Sequence, residues 1–361
     1  MKFDRRLLDL FGTDLPIVQA PMAGVQDDVL AIAVAKAGGL GSLPAAMTTA
    51  ELLTTQVTCF RAACGDKKLN LNFFAHTPPV PDKVREDVWR ATLNPYYVEL
   101  GVDPNGPAPS SNRAPFDDAF CQVVEALKPG VVSFHFGLPD ETLLARVRAA
   151  GCAIIASATT VAEARYLAGK GCDAVIAQGA EAGGHRGMFL TDKVSEQIGS
   201  FALIPQVVDS VDIPVIAAGA IGDARGIAAA FALGAAGVQI GSAYMHTPEA
   251  KLAAPHRARL QAARENPAGV TTAITNLITG RPARGFINRL MREQGPLSDA
   301  APAFPLAGSA LAPLAAKSQA TGDFSSQWAG QAVGLGRALP AGELTQALWA
   351  EAEALLRRMA G

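Results

Sequence analysis

Residues 153–178 read AIIASATTVAEARYLAGKGCDAVIAQ, and this run decides the fold. Two β-rich apolar segments, Ala153–Ala158 and Ala174–Gln178, flank a helical one, Thr160–Lys170. Both apolar segments are continuous rather than alternating, as expected for strands covered on both faces. Thr160 is placed to cap the helix, with Glu163 at the third helical position. Gly171 follows, where a left-handed cap residue is needed. The run is one strand–helix–strand unit of a parallel sheet.

The same unit repeats in both directions. Apolar runs precede it at Pro16–Ala20, Gly39–Leu43, Leu69–Phe74 and Val131–Phe136, and follow it at Pro214–Gly219 and Gly237–Gly241, giving eight candidate strands. Helical patterns at Asp28–Ala37, Asp140–Ala150 and Asp223–Leu233 stop at Gly38, Gly151 and Gly234. Eight repeats predict a (β/α)8 TIM barrel. The alternative, an open doubly wound sheet, usually shows a Gly-rich dinucleotide fingerprint at its first turn. Pro21–Gly24 has a single glycine, and Gly219-Ala-Ile-Gly222 lacks the spacing.

Two connections are too long for simple loops. The first is an insertion after strand three, an excursion over residues 76–130 beside the site, with Pro-rich stretches Thr77–Asp82 and Val102–Ser110. The second is the tail after His246, with helices expected near Glu249–Asn266, Phe304–Ala320 and Ala341–Met359, and a polar segment, Thr271–Arg289, that could cross the barrel mouth. The expected division is a barrel over residues 1–248 and a C-terminal helical lid and packing segment over 249–361.

Composition narrows the partners. The 361 residues are 49% hydrophobic and 18% charged, with a formal net charge of −2. Such a chain buries a large core. No Lys/Arg stripe offers nucleic acid a footprint. No signal-peptide core or membrane span is apparent, so a cytoplasmic protein is expected. The five cysteines form no Cys-x-x-Cys pair, and no metal site is expected. Cys152 and Cys172 read as buried fillers.

In such a barrel the chemistry gathers just beyond the strand ends. The richest segment is Ala177-Gln-Gly-Ala-Glu-Ala-Gly-Gly-His-Arg-Gly187. Its glycines admit a flat or anionic ligand close to backbone, Gln178 can bond a heterocycle edge, and His185 titrates near neutral pH. A Gly-rich loop whose histidine only bonds backbone is the plainer alternative. Gly219-Ala-Ile-Gly-Asp223 and Gly241-Ser242, after strands seven and eight, read as a phosphate site with a nearby helix terminus, or as packing turns. His135 and His76 are possible substrate contacts; His246 and His256 read as structural.

These segments resemble the nitronate monooxygenase family, formerly 2-nitropropane dioxygenases. The resemblance is carried by Gln19-Ala-Pro-Met-Ala-Gly24, Ala37-Gly-Gly-Leu-Gly41, Ala177–Gly187, Pro214-Val-Ile-Ala-Ala-Gly219 and Gly237-Val-Gln-Ile-Gly-Ser242. In the tail it extends to Arg281-Pro-Ala-Arg284 and Trp328-Ala-Gly-Gln331. It implies an enzyme with an FMN cofactor that oxidises propionate-3-nitronate-like or small alkyl nitronates with O2, giving a carbonyl product and nitrite. By the same resemblance Pro21, Met22 and Ala23 line the isoalloxazine, and Asn72 and Gln178 bond its polar atoms. Gly183 and Gly184 bring backbone close, while Gly219 and Gln239, Ile240, Gly241 and Ser242 hold the ribityl phosphate. Gln331 completes the pocket. His185 serves as base toward a neutral nitroalkane or positions an anionic nitronate, whose charge a protonated imidazole would favour. Val25-Gln-Asp-Asp28 departs from the Thr/Ser-Pro pair of many members. The alternatives are an FMN-dependent enoyl-acyl-carrier-protein reductase, an NAD(P)H:quinone reductase, and a flavin-binding sensor or structural protein. The oligomeric state is not legible.

Overall fold

The computed structural model describes residues 4–104, 106 and 113–359. Residues 1–3, 105, 107–112 and 360–361, which include most of the Pro-rich stretch Val102–Ser110, lie outside the described residues.

Eight strands form one parallel sheet: β1 (Ile17–Gln19), β2 (Ser42–Pro44), β3 (Leu69–Phe74), β4 (Gly130–His135), β5 (Ala153–Ala158), β6 (Ala174–Gln178), β8 (Val215–Ala218) and β9 (Gly237–Ile240). A short strand, β7 (Gly184–His185), lies between β6 and β8 in the chain and joins β10 (Thr272–Thr275) and β11 (Ala283–Phe286) in a separate antiparallel sheet. The order β1-β9-β8-β6-β5-β4-β3-β2 leaves β1 and β2 as the two ends. They meet through a parallel bridge, Val18 to Leu40, where Gln19 N donates to Leu40 O at 2.9 Å and Leu40 N to Ile17 O at 2.8 Å. The barrel therefore closes. Its second strand starts at Ser42, later than the apolar pattern predicts: Leu40 is spent on the bridge to β1, and Gly41 passes so close to helix Asp28–Lys36 that a Cβ would lie 2.4 Å from Ala31 O.

Every predicted glycine stop carries a positive φ: Gly38 (97°), Gly151 (79°), Gly171 (80°) and Gly234 (93°). Thr160 Oγ1 accepts from Glu163 N at 3.2 Å, as the cap reading expects. The Glu163 carboxylate reaches back one residue further than a capping box requires. It accepts from Thr159 N and Oγ1 at 2.7 and 2.8 Å, and from Phe189 N and Leu190 N at 2.6 and 3.1 Å. Four donors satisfy this fully buried carboxylate, and they tie the loop after β5 to the loop after His185.

The excursion and the tail build one cap over the barrel mouth. Helix Lys83–Glu99 lies in the excursion and packs Trp89, Leu93 and Tyr97 against Ala307, Leu311 and Leu314 of helix Ala307–Lys317 in the tail. Trp89 Nε1 and Tyr97 OH donate to Ala307 O and Ala310 O at 3.1 and 2.6 Å, so neither buried ring leaves a polar atom unpaired. Phe116 N donates to Phe74 O at 2.7 Å and pins the returning chain to the end of β3. Within the tail, 271–289 is not a plain crossing segment: it folds as the hairpin β10–β11, and β11 pairs Ala283 with His185 and Arg284 with Gly184.

The helix Ala341–Met359, expected in the lid and packing segment, lies against helices Asp28–Lys36 and Ala224–Ala232. It thereby takes the eighth place in the ring around the barrel, and its Leu344, Leu348 and Ala352 share one core with Leu30 and Val34. Among the described residues no helix is long and apolar enough to cross a membrane. Leu348→Ala is expected to cost about 2–5 kcal/mol in urea unfolding while keeping one cooperative transition. Leu335→Ala, on the surface, is expected to cost about 0.5 kcal/mol or less. An unchanged midpoint for Leu348→Ala would show the helix to be detachable.

Candidate functional site

A cavity of about 900 Å3 opens at the carboxyl ends of the barrel strands, beneath the cap. Of the residues picked out by sequence, Pro21, Met22, Ala23, Asn72, His135, Gln178, Gly183, Gly184, His185, Gly219, Gln239, Gly241 and Ser242 line it. Three do not. The Ile240 side chain points outward into the layer between the strands and the surrounding helices, leaving only its backbone near the site. His76 is buried against Phe304, ring centroids 4.8 Å apart. Gln331 is exposed, and its contribution is a backbone N–H donated to Glu181 O at 2.9 Å.

The opening turn is braced by a residue from the stretch that departs from the family pattern. Gln26 is buried; its Oε1 accepts from Met22 N at 3.0 Å and Gln19 Nε2 at 2.5 Å, and its Nε2 donates to Ser42 O at 2.5 Å. Pro21–Ala23 is thereby held as a firm wall. Asn72 Nδ2 donates to Ser133 Oγ at 2.9 Å, an orientation that reserves its Oδ1 for acceptance.

At the other end, Gly219 and Ala220 have φ of 110° and 57°, a consecutive left-handed pair that turns backbone N–H groups to one side. The helix terminus expected to assist them is already occupied. Asp223 caps helix Ala224–Ala232, accepting from Arg225 N at 2.9 Å and Gly226 N at 3.4 Å. An anion here would be met by the 219–222 turn and by Gly241–Ser242. Ser242 Oγ accepts from Gly330 N at 2.8 Å, which keeps its proton available to donate. Gln239 Oε1 is buried with no partner, an acceptor suited to a ligand donor. Gly183 has no room for a side chain, since a Cβ would lie 2.6 Å from Gly330 N. An apolar wall, amide edges and a backbone nest in one cavity fit a phosphorylated planar heterocycle such as FMN.

The histidine end is the most constrained. Gln178 is committed to its own loop: Nε2 donates to His185 O at 3.0 Å and Oε1 accepts from Gly187 N at 2.7 Å. This leaves one Nε2 proton, not the whole amide, for a ligand. His135 Nε2 also lies 3.0 Å from His185 O, so it carries the proton, and His135 Nδ1 accepts from Ser157 Oγ at 3.1 Å. Arg186 is fully buried and spends its guanidinium on Gly179 O and Gln178 O, both at 2.7 Å, and on Gln197 Oε1 at 2.9 Å. The His185 imidazole sits among Phe304, Trp328, Phe136 and Phe74, at centroid distances of 5.3, 5.5, 5.7 and 6.0 Å. Its Nε2 lies 2.9 Å from Thr279 Oγ1. Burial, then the neighbouring His135, Arg113 and Arg281, hold its pKa well below the ordinary histidine value. This direction favours the uncharged imidazole, so the surroundings of His185 do not support a protonated ring as the balance for an anionic substrate.

Positive charge comes instead from residues the sequence reading missed. Arg113, on the excursion, lines the cavity, and Arg281 lies 4.0 Å over the Phe136 ring. Burial lowers Arg281 to about 10, which leaves it a cation at neutral pH. Arg281 opens the Arg281–Arg284 motif but was given no role there, and Thr279, two residues earlier, could have been found by extending it. Arg113 sits in an aperiodic Pro-rich connection and gives no such signal.

Comparison with known proteins follows this geometry. The family model described as nitronate monooxygenase matches residues 4–351. A nitronate monooxygenase of Paraburkholderia phytofirmans is 41% identical over 352 residues, covering 95% of this chain and 94% of that protein. One from Pseudomonas aeruginosa is 38% identical over 347 residues, covering 95% and 97%. The solved nitroalkane oxidase from Streptomyces ansochromogenes superposes with a TM-score of 0.86 at 37% identity, covering 99% of this chain and all (100%) of that one. FabK from Thermotoga maritima, at 24% identity and a TM-score of 0.74 over 100% and 99% of the two chains, shares the fold.

Two outcomes are expected. Gly183→Ala forces backbone apart at the cavity wall, and flavin retained per chain after gel filtration is expected to drop at least about tenfold, a change of about 1.4 kcal/mol in binding. Second, burial pushes His76, His135 and His256 down to about 4. Such histidines are neutral in the fold but ionise in the unfolded chain below about pH 6.5. Stability is therefore expected to hold above that value. It is expected to fall by about 1.4 kcal/mol per pH unit per histidine toward pH 4. Urea midpoints at pH 7 and pH 5 measure this, and equal midpoints would contradict it.

Proposed function

The chain belongs to the nitronate monooxygenase family, and we propose that its reaction takes place against the imidazole of His185. It is an FMN-dependent oxidoreductase that turns alkyl nitronates and O2 into a carbonyl product and nitrite. When bound, FMN supplies the electron-transfer chemistry. Pro21, Met22, Ala23, Asn72, Gln178, Gly183, Gly184 and Gln239 would hold its ring system, and Gly219, Gly241 and Ser242 its phosphate.

The environment of His185 carries the reading. Its imidazole stands at the cavity inside an aromatic ring, and burial favours the unprotonated form, which leaves one ring nitrogen free to take a proton. A neutral nitroalkane would lose its α-proton to the ring, the C–H electron pair becoming the C=N bond of the nitronate and the negative charge moving to the nitro oxygens. A substrate arriving as the anion would skip that transfer and need only placement. For it the useful group is Arg113: two unit charges about 5 Å apart attract by about 3 kcal/mol at an effective dielectric near 20. The ring of aromatic side chains keeps bulk water from this end and strengthens such attraction. Arg113 on the cavity wall and the buried Arg281 nearby favour a small anionic nitronate. Five unbridged cysteines support a reducing cytoplasmic setting.

The test is anaerobic bleaching of the flavin-loaded protein by an alkyl nitronate, set beside NADH and NADPH. Bleaching by the nitronate alone is expected; rapid reduction by either nucleotide and none by nitronates would move the chain to the reductase alternatives. His185→Asn is expected to lower kcat/KM for a neutral nitroalkane by about 100-fold or more. Its turnover of the preformed anion is expected to fall far less, with flavin content unchanged. Wild-type nitroalkane turnover in that variant would remove His185 as the base.

A further inference from the structure

The loop that meets His185 is fixed by hydrogen bonds at several points. It joins β10 to β11 and is crossed by a reciprocal pair, Asn276 Nδ2 donating to Ser298 O at 2.8 Å and Ser298 N donating to Asn276 Oδ1 at 3.0 Å. Gly280 N donates to Asn276 O at 2.7 Å. Gly280 has φ 88°, and a Cβ there would fall 2.1 Å from Pro302 O, so only glycine lets the turn close. Arg281 is anchored by its guanidinium on Met188 O and by stacking on Phe136. Thr279 stands inside this frame, 1% exposed.

Its hydroxyl has two neighbours, His185 Nε2 at 2.9 Å and Arg281 O at 3.3 Å. A hydroxyl carries one proton. A carbonyl can only accept, so Arg281 O takes that proton, and the Thr279 oxygen is left to accept from Nε2–H. The reverse arrangement would leave the carbonyl contact without a hydrogen. We infer that Thr279 is a positioning residue: it holds His185 in the Nε2–H tautomer and so leaves Nδ1 as the atom that receives the substrate proton. This rests on the reading of His185 as the base. The hairpin of the tail thus decides which edge of the imidazole is reactive. In the transfer the α-C–H bond of the nitroalkane breaks, an N–H bond forms at Nδ1, and the carbon's electron pair passes into the nitronate; Nε2–H stays on Thr279 throughout.

The experiment compares wild type, Thr279→Val and Thr279→Ser, all loaded with FMN, on a neutral nitroalkane and on its preformed nitronate. Thr279→Val is expected to lose at least about tenfold in kcat/KM on the neutral substrate and to stay within about threefold on the anion. Thr279→Ser, which keeps the hydroxyl, is expected to recover the neutral activity to within about threefold. Imidazole 15N shifts, assigned by their absence in His185→Asn, are expected to show a protonated Nε2 in the wild type. That readout needs no activity and no stable Val variant. A wild type protonated at Nδ1 would overturn the inference, as would equal losses on both substrates. A wild type that oxidises neither substrate would instead fail the activity assigned above.

Discussion

Two side-chain donors converge on one backbone carbonyl. His135 Nε2 and Gln178 Nε2 both lie 3.0 Å from His185 O, one from the end of β4 and the other from the end of β6. The same residue is paired in the opposite direction by Ala283 of β11. Barrel and tail are therefore joined at the backbone of His185 itself. The surrounding polar groups serve that junction: Arg186 holds the carbonyls of Gln178 and Gly179, and Arg284 Nε donates to Ala180 O at 2.9 Å. With its main chain clamped on three sides, the imidazole can be offered to the cavity without freedom to drift.

That clamp explains the division of labour along the cavity. At the end proposed for the phosphate, backbone N–H groups of the 219–222 turn are the donors on offer, and side chains such as Asp223 and Glu181 are turned to structural use. Glu181 accepts from Ser200 N and Oγ at the start of helix Ser200–Val208, although it also lines the cavity. At the histidine end aromatic rings and buried cations set the electrostatics. On the proposed reading, one end would meet a cofactor with shape and backbone dipoles, and the other would meet a small substrate with a single imidazole and the arginines near it.

How much of this was legible depended on how local the signal was. The eight barrel strands could be read because each is covered on both faces and appears as an unbroken apolar run, and the glycine stops because positive φ leaves few other choices. The second sheet could not. A two-residue strand, Gly184–His185, has no periodicity, and its partner Ala283 lies far along the chain. Thirteen of the sixteen proposed site residues line the cavity, because strand ends converge by topology. Ile240 and His76 do not, because proximity in sequence to a strand end does not say which way a side chain turns; Gln331, named from the tail motif, meets the site region only through its backbone N–H. Gln26 and Arg113 were invisible because each acts across a fold contact that no spacing announces.

The helix Ala341–Met359 closes the ring beside Asp28–Lys36, on the order of 300 residues earlier in the chain. During synthesis the apolar flank of that early helix, with Leu30 and Val34, stays uncovered until the late helix has left the ribosome. The barrel can begin to assemble while translation proceeds, but its seam is sealed only afterwards. Over that interval the nascent chain depends on chaperones or on speed, and a translational pause ahead of Ala341 would lengthen its exposure.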